Sequence, residues 1–205
     1  MPIGKFGRLR SREQFLILVG LVLGALFLLR VIGGFGDPVV PQEFLDARSR
    51  GAAIAEEIVA LSKESGKNLE LVSKEDEKGN YSKAYDLVLQ ELAANKKARG
   101  RALALSSELE IMAKKLPDIG KNQASAIGLQ ATVDASQIVQ RLIDYNDHTY
   151  QLLRALNSRF SGEDSRKIGA IIKSTIKIMN EEAEAINNLN EKYKNLMAEF
   201  DRAVR

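Results

Sequence analysis

The 205-residue sequence contains no cysteine and no tryptophan, and it has only four prolines. The lack of cysteine excludes disulfide bonds, thiol nucleophiles and a lipid-modified cysteine anchor. After Pro41 only Pro117 remains, and long helices require such scarcity because proline removes a backbone donor and clashes with the preceding turn. Sustained alternation of apolar and polar residues, the mark of strands, is also missing. These absences predict an all-α fold.

Signatures of catalysis are equally scarce, since the chain has one histidine and no G-x-S-x-G, phosphate-loop or dinucleotide-binding pattern. His148 follows Asp144 by four residues and would share its helix face. One histidine with carboxylates makes a weak metal site, so we interpret this pair as a polar helix face. Glu181, Glu182 and Glu184 receive the same interpretation. We therefore predict no catalytic residue, no cofactor and no metal, and hence not an enzyme.

One long apolar run does occur, FLILVGLVLGALFLL, from Phe15 to Leu29. A bilayer core of ~30 Å needs roughly 20 helical residues, and the run reaches that length when it is extended past Arg30 to Phe35. The long Arg30 side chain can reach the headgroups from there. We therefore predict a transmembrane signal anchor over residues 15–35. Its representative positions are Phe15, Leu18, Gly20, Gly24 and Leu29, the two glycines forming a G-x-x-x-G pair that favours close helix approach.

Four basic residues precede this run: Lys5, Arg8, Arg10 and Arg12. Positive charge stays on the cytoplasmic side of a membrane. The chain is therefore predicted to lie in the cytoplasmic (inner) membrane as a single-pass protein with its N-terminus inside. The alternative is a cleaved signal peptide, but the apolar run is longer than usual for one and lacks a clear small-x-small cleavage site.

The predicted domain order follows from this orientation. Residues 1–14 form a short basic cytoplasmic tail, 15–35 the anchor, 36–41 a Gly/Pro linker and 42–205 an extracytoplasmic helical bundle. Five of the 30 basic residues and one of the 27 acidic residues lie within residues 1–36, which leaves a net charge of −1 for the remainder. A nearly neutral domain gives no electrostatic reason to expect nucleic acid as a partner.

Helical spacing of apolar residues organises everything after the linker. The first helix is predicted to be shorter than the others, with its end near Gly66. For residues 67–80 the sequence indicates a short helix or a turn. Three long helices follow, and the predicted segments are Gln42–Ser65, Tyr81–Leu116, Lys121–Phe160 and a last helix that begins at a capping box of Ser161 and Asp164 and reaches Val204.

Short turns between the long helices require antiparallel neighbours, so the expected architecture is an elongated antiparallel bundle. Asn95, Arg99, Asp134 and Glu182 fall on or beside the apolar stripes, where polar residues often fix helix register. The predicted bundle seam consists of Val88, Leu92, Leu105, Leu109, Ile138, Leu152, Leu156, Ile172, Met179, Ile186 and Tyr193.

These features predict a membrane-anchored, non-catalytic bundle that acts as a structural or interaction component, a scaffold or an assembly subunit, on the outer face of the cytoplasmic membrane. The expected partners are the lipid bilayer and other proteins bound through helix faces, including further copies of the chain. The alternative is an extracytoplasmic sensory or ligand-binding four-helix module. A receptor of that kind usually has a second span, and the sequence after Phe35 holds no apolar run of that length.

Overall fold

The computed structural model describes residues 40–163 and 165–205, which form four long helices. No strand occurs in these ranges, and the predicted all-α helical bundle is confirmed. The anchor (15–35), the tail (1–14) and the linker up to residue 39 lie outside the described residues. Within the described ranges, no helix combines the length and the apolarity that crossing a bilayer requires. The helices are α1 (Gln42–Glu77), α2 (Tyr81–Lys115), α3 (Asn122–Phe160) and α4 (Ser165–Ala203).

The prediction of a shorter first helix is wrong, because α1 runs for 36 residues and does not stop at Gly66. A glycine costs about 1 kcal/mol in a helix interior. Gly66 is buried, however, and Leu69 and Val72 beyond it are also buried. The apolar surface covered by this last part of α1 outweighs the cost of one glycine.

Two of the turns end on glycines in the left-handed region, Gly79 with φ 77° and Gly162 with φ 87°. In each turn the next residue donates to the carbonyl five positions back, Asn80 to Glu75 at 2.9 Å and Glu163 to Ser158 at 3.1 Å. This is the Schellman pattern that closes helix C-termini, and it favours glycine because a Cβ is strained at positive φ.

The predicted capping box at Ser161 is wrong. Ser161 is the C-terminal cap of α3, and its hydroxyl donates to the Asn157 carbonyl at 2.9 Å. Gly162 places the turn immediately after it, so the chain cannot enter the next helix at Ser161. Asp164, the other half of the predicted box, lies outside the described residues, and α4 is described from Ser165 onward.

Three ion pairs between α1 and α2 show that the two helices run antiparallel. Glu43 pairs with Lys115, Arg50 with Glu108 at 2.9 Å, and Glu57 with Arg101 at 2.7 Å. Residue numbers rise along α1 as they fall along α2. Such partly exposed pairs contribute little stability each, but a shifted register would break all three at once.

The interior divides into two apolar cores. The proximal core lies at the end where α1 begins, and the distal core lies at the opposite end, near the turns at Gly79 and Gly162. All four helices contribute to both cores. Principal members of the proximal core are Phe44, Leu109, Met112, Leu116, Ala131, Ile138, Tyr193 and Phe200, and those of the distal core are Leu69, Val88, Leu152, Leu153, Ile172 and Met179.

Helices α1 and α4, the first and last in the chain, meet in the proximal core. The rings of Phe44 and Phe200 lie 5.4 Å apart between centroids. Beside them Arg48 makes a two-pronged ion pair with Asp201, at 2.6 and 2.9 Å, and both side chains are less than one-fifth exposed. A bidentate guanidinium–carboxylate pair in such a place orients the two helices as well as attracting them.

A close approach of helices in the proximal core depends on Gly128. A Cβ there would lie 2.5 Å from Leu116 Cδ2 and 3.1 Å from the Phe200 ring. Gly128→Ala should therefore lower the free energy of unfolding by about 1–3 kcal/mol, the usual cost of overpacking. The matched control is Gly100→Ala in α2, where nothing lies near the added methyl and a gain of about 1 kcal/mol is expected. Urea unfolding followed by circular dichroism measures both, and equal behaviour of the two variants would contradict this packing.

Candidate functional site

The eleven seam residues all face the interior to some degree. Nine are buried, with exposed fractions from 0% to 8%. Leu92 and Leu105 are partly buried and pack against the distal and proximal cores respectively. The buried nine are Val88, Leu109, Ile138, Leu152, Leu156, Ile172, Met179, Ile186 and Tyr193.

The inward face of α2 keeps Val88 and Leu109 of the predicted seam and also includes Ala84 and Glu91. Ala84 and Glu91 are completely buried, whereas Leu92, the residue after Glu91, is only partly buried. Arg99, by contrast, is exposed, and its Nε atom lies 3.1 Å from Asp147 Oδ1. The small side chains of Ala84 and Ala102 point inward at places where the neighbouring helices pack closely against α2.

A layer of polar side chains separates the two cores at the middle of α1, α2 and α3. Its buried members are Glu91, Asn95, Asn146 and Thr149. Glu91 is 0% exposed, the most unusual burial in the bundle, because glutamate is almost never fully buried unless it is paired. Glu91 is not among the residues that the sequence predicts to be buried. The signal was its spacing, seven residues from Ala84.

The Glu91 carboxyl group is held from α1 by neutral donors. Asn68 Nδ2 donates to Glu91 Oε2 at 3.0 Å, and the Ser65 hydroxyl hydrogen-bonds the same carboxyl group. The second oxygen, Glu91 Oε1, is buried and has no hydrogen-bond partner. A carboxylate offers about four acceptor sites, so half of this group is unsatisfied.

Hydrogen bonds between Asn95 and Asn146 join α2 to α3 near the Glu91 carboxyl group. Asn95 Nδ2 donates to the Asn146 backbone carbonyl at 3.1 Å and to Asn146 Oδ1 at 3.2 Å. Asn146 Nδ2 in turn donates to the Leu142 carbonyl at 2.7 Å, and the Thr149 hydroxyl donates to the Tyr145 carbonyl at 2.9 Å. Bonds of this kind fix one register of α2 against α3.

Burial dominates the electrostatics of the layer. Burial raises the pKa of the Glu91 carboxyl group, and the negative charge of Glu64 raises it further. The hydrogen bonds from Ser65 and Asn68 lower this pKa, but they offset the rise only in part. Burial also raises the pKa of the Tyr145 phenol, and the nearby charge of Glu91 raises it further. Tyr145 is therefore a neutral hydrogen-bonding group at physiological pH.

A small cavity lies inside this layer, with a volume of about 20 Å³. Small residues leave the space on the α1 and α2 sides: Ser62, Ser65, Gly66, Ala94 and Ala98. Polar groups face it from α2 and α3: Glu91, Asn95, Tyr145, Asn146 and Thr149. A cavity of this size and polarity holds one water molecule or an ion of similar size, and it is too small for an organic metabolite.

The residues singled out for chemistry do not assemble into a site. Asp144 accepts a hydrogen bond from Gln140 at 3.1 Å, and Nδ1 of His148 is buried without a partner. In the part of the chain that the structure describes, no three His, Asp or Glu side chains are grouped so as to hold a metal ion. Two glutamates of the acidic group on α4 form ion pairs: Glu181 Oε1 lies 3.6 Å from Lys177 Nζ, and Glu182 Oε2 lies 2.9 Å from Arg141 Nη1.

Comparison with protein-family models, with curated proteins and with solved structures finds no match to this chain. Any function assigned to the chain therefore has to come from its sequence and from the geometry of the bundle.

Proposed function

We propose that this protein is a membrane-anchored, non-catalytic scaffold or assembly component, with residues 15–35 as its anchor and the bundle on the outer face of the cytoplasmic membrane. The observation that carries the proposal is the bundle itself. Four helices of 35 to 39 residues bury their apolar faces against one another, and their outer faces are exposed. At ~1.5 Å per residue each helix is roughly 50–60 Å long, the shape of a spacer or stalk.

The placement of the chain ends supports an upright stalk. Helix α1 begins and α4 ends in the proximal core, at the contact of Phe44 with Phe200. An anchor ending at residue 35 is joined to this end by a few linker residues. The turns at Gly79 and Gly162 would then stand farthest from the lipid surface.

Exposed apolar side chains supply faces for association with proteins. Leu129 and Val133 are four residues apart on α3 and are 54% and 44% exposed, and Ile171 and Ile178 are one heptad apart on α4. Residues at these spacings lie on one side of a helix. They favour helix–helix contacts with a partner protein or with another copy of the chain.

The second candidate function is an extracytoplasmic sensory or ligand-binding module. The unsatisfied Glu91 oxygen beside a polar cavity favours it. The cavity volume of about 20 Å³ limits any such ligand to the size of a water molecule or a small ion.

The absence of cysteine makes the topology directly testable. Ser11→Cys places one thiol in the predicted tail, and Ser82→Cys places one on the exposed start of α2. We expect a membrane-impermeant maleimide to label Ser82→Cys in intact cells and Ser11→Cys only after permeabilisation, because the basic tail stays inside. Carbonate-resistant sedimentation of both variants serves as the test of anchoring. Labelling in the opposite pattern, or release by carbonate, would contradict the proposal.

A further inference from the structure

We propose that the cavity beside Glu91 is a binding site for one small monovalent cation, such as Na⁺ or K⁺. Glu91 is completely buried, its Oε1 atom has no hydrogen-bond partner, and the residue lines the cavity. An ionised carboxylate oxygen only accepts. A buried charge in a protein is paired or coordinates an ion, and the described surroundings of Glu91 contain no cationic partner for it.

The groups that face Glu91 from each neighbouring helix are neutral or negative. From α1 come Ser65 and Asn68, with Glu64 close enough to repel the carboxylate. From α3 come the neutral Tyr145 phenol and the Asn146 amide, and none of the described residues that line the cavity is basic. The local field therefore attracts a positive charge, and a water molecule would supply a hydrogen bond without supplying that charge.

The ligand atoms match a monovalent ion better than a divalent one. Several of the side chains that line the cavity carry oxygen ligands: the Glu91 carboxylate, the Asn146 amide, the Tyr145 phenol and the hydroxyls of Ser62 and Thr149. Only one of these groups carries a full charge. Calcium takes 6–8 oxygen ligands, usually with several carboxylates, and magnesium keeps several waters, for which about 20 Å³ leaves no room.

The test is the thermal unfolding of the full-length protein in non-ionic detergent at pH 8. NaCl or KCl replaces choline chloride at constant ionic strength, since choline is too large for the cavity. A saturable rise in Tm is expected, of about 3–6 °C when the cation reaches roughly tenfold its Kd. The rise should shrink as the pH is lowered and a proton takes the cation's place on Glu91.

Two variants make the result specific to the cavity. Glu91→Gln keeps an acceptor for Asn68 but removes the charge, so the cation-dependent rise should disappear. Glu110→Gln, a 65%-exposed site on the same helix, should retain the full rise. The same Tm in sodium and in choline for the unmodified protein would overturn the proposal, and so would an undiminished rise in Glu91→Gln.

A direct measurement covers the case in which Glu91→Gln folds poorly. Tyr145→Phe removes one neutral ligand and leaves the charge, and it should shift the midpoint of the cation titration several-fold higher. Line broadening of ²³Na in NMR spectra of the unmodified protein, reversed by excess KCl, is the expected signature of an occupied site. Line widths equal to those of buffer and detergent alone would overturn the proposal.

Discussion

Replacing Ile172 with aspartate is expected to unfold the bundle. Ile172 is 2% exposed and packs in the distal core with Met179 and Leu152. The substitution loses a buried aliphatic side chain, about 2–5 kcal/mol, and places an unpaired charge where it costs about 3–5 kcal/mol more. Domains are stable by only about 5–15 kcal/mol, so most of the margin disappears. Loss of the helical circular dichroism signal at 25 °C, or a collapse of the urea midpoint, measures the effect.

The neighbouring residue supplies a closely matched control. Ile171 is 49% exposed, and Ile171→Asp makes the same chemical change one position away. A surface substitution of this kind usually alters stability by less than about 0.5 kcal/mol. Similar losses in the two variants would mean that the inward face of α4 is not the one that contains Ile172.

Helix α4 shows why so much of the fold follows from periodicity. Ile172, Met179, Ile186, Tyr193 and Phe200 repeat every seven residues and are all buried. A seven-residue repeat keeps one stripe facing a partner along a gently supercoiled helix. Because large apolar residues occupy every repeat, their pattern alone identifies this face.

The end of α1 was harder to predict because local and tertiary effects oppose each other there. Gly66 is a stop signal by propensity, and the residues after it are mostly charged. The helix continues because Leu69 and Val72 complete the distal core. That core includes residues from α3 and α4 that lie nearly a hundred positions away in the chain, and a local window cannot detect them.

The burial of the polar layer could not be predicted from the sequence for a different reason. Hydrophobicity places Leu92 inside and Glu91 outside, whereas the structure buries Glu91 completely and Leu92 only in part. What decides the matter is the close packing of α1 and α3 against α2, which admits Ala84 and leaves Leu92 at the edge. The hydrogen bond from Asn68 partly compensates the glutamate, and this compensation is visible only once α1 and α2 are in register.

The layer also divides the bundle energetically. Apolar cores contribute most of the stability, and buried polar residues contribute register and orientation. The Asn95–Asn146 bonds fix α2 against α3 between the two cores.

Removing the Glu91 charge is expected to stabilise the protein at alkaline pH. Because the pKa of Glu91 is raised above its ordinary value of 4.5, the folded state binds more protons than the unfolded state. The stability that Glu91 contributes is therefore present below the ordinary pKa and is lost as the pH rises through the raised value. In choline chloride, which leaves the cavity without a small cation, the free energy of unfolding should fall as the pH rises above the ordinary pKa of Glu91.

Glu91→Gln should remove the part of this pH dependence that Glu91 contributes, since its amide does not titrate; Asp76, whose pKa burial also raises, keeps its own part. At pH 8 the variant should exceed the unmodified protein by about 1–3 kcal/mol, the usual cost of leaving a buried polar group unsatisfied. Glu110→Gln is the matched control, because the hydrogen bond from Lys114 lowers the pKa of Glu110 and does not raise it. The fall in the free energy of unfolding with rising pH should therefore persist in that variant. Urea titrations at several pH values measure all three proteins. A Glu91→Gln variant that is less stable at pH 8 than the unmodified protein would mean that the buried carboxylate is already compensated within the bundle, since choline cannot reach it.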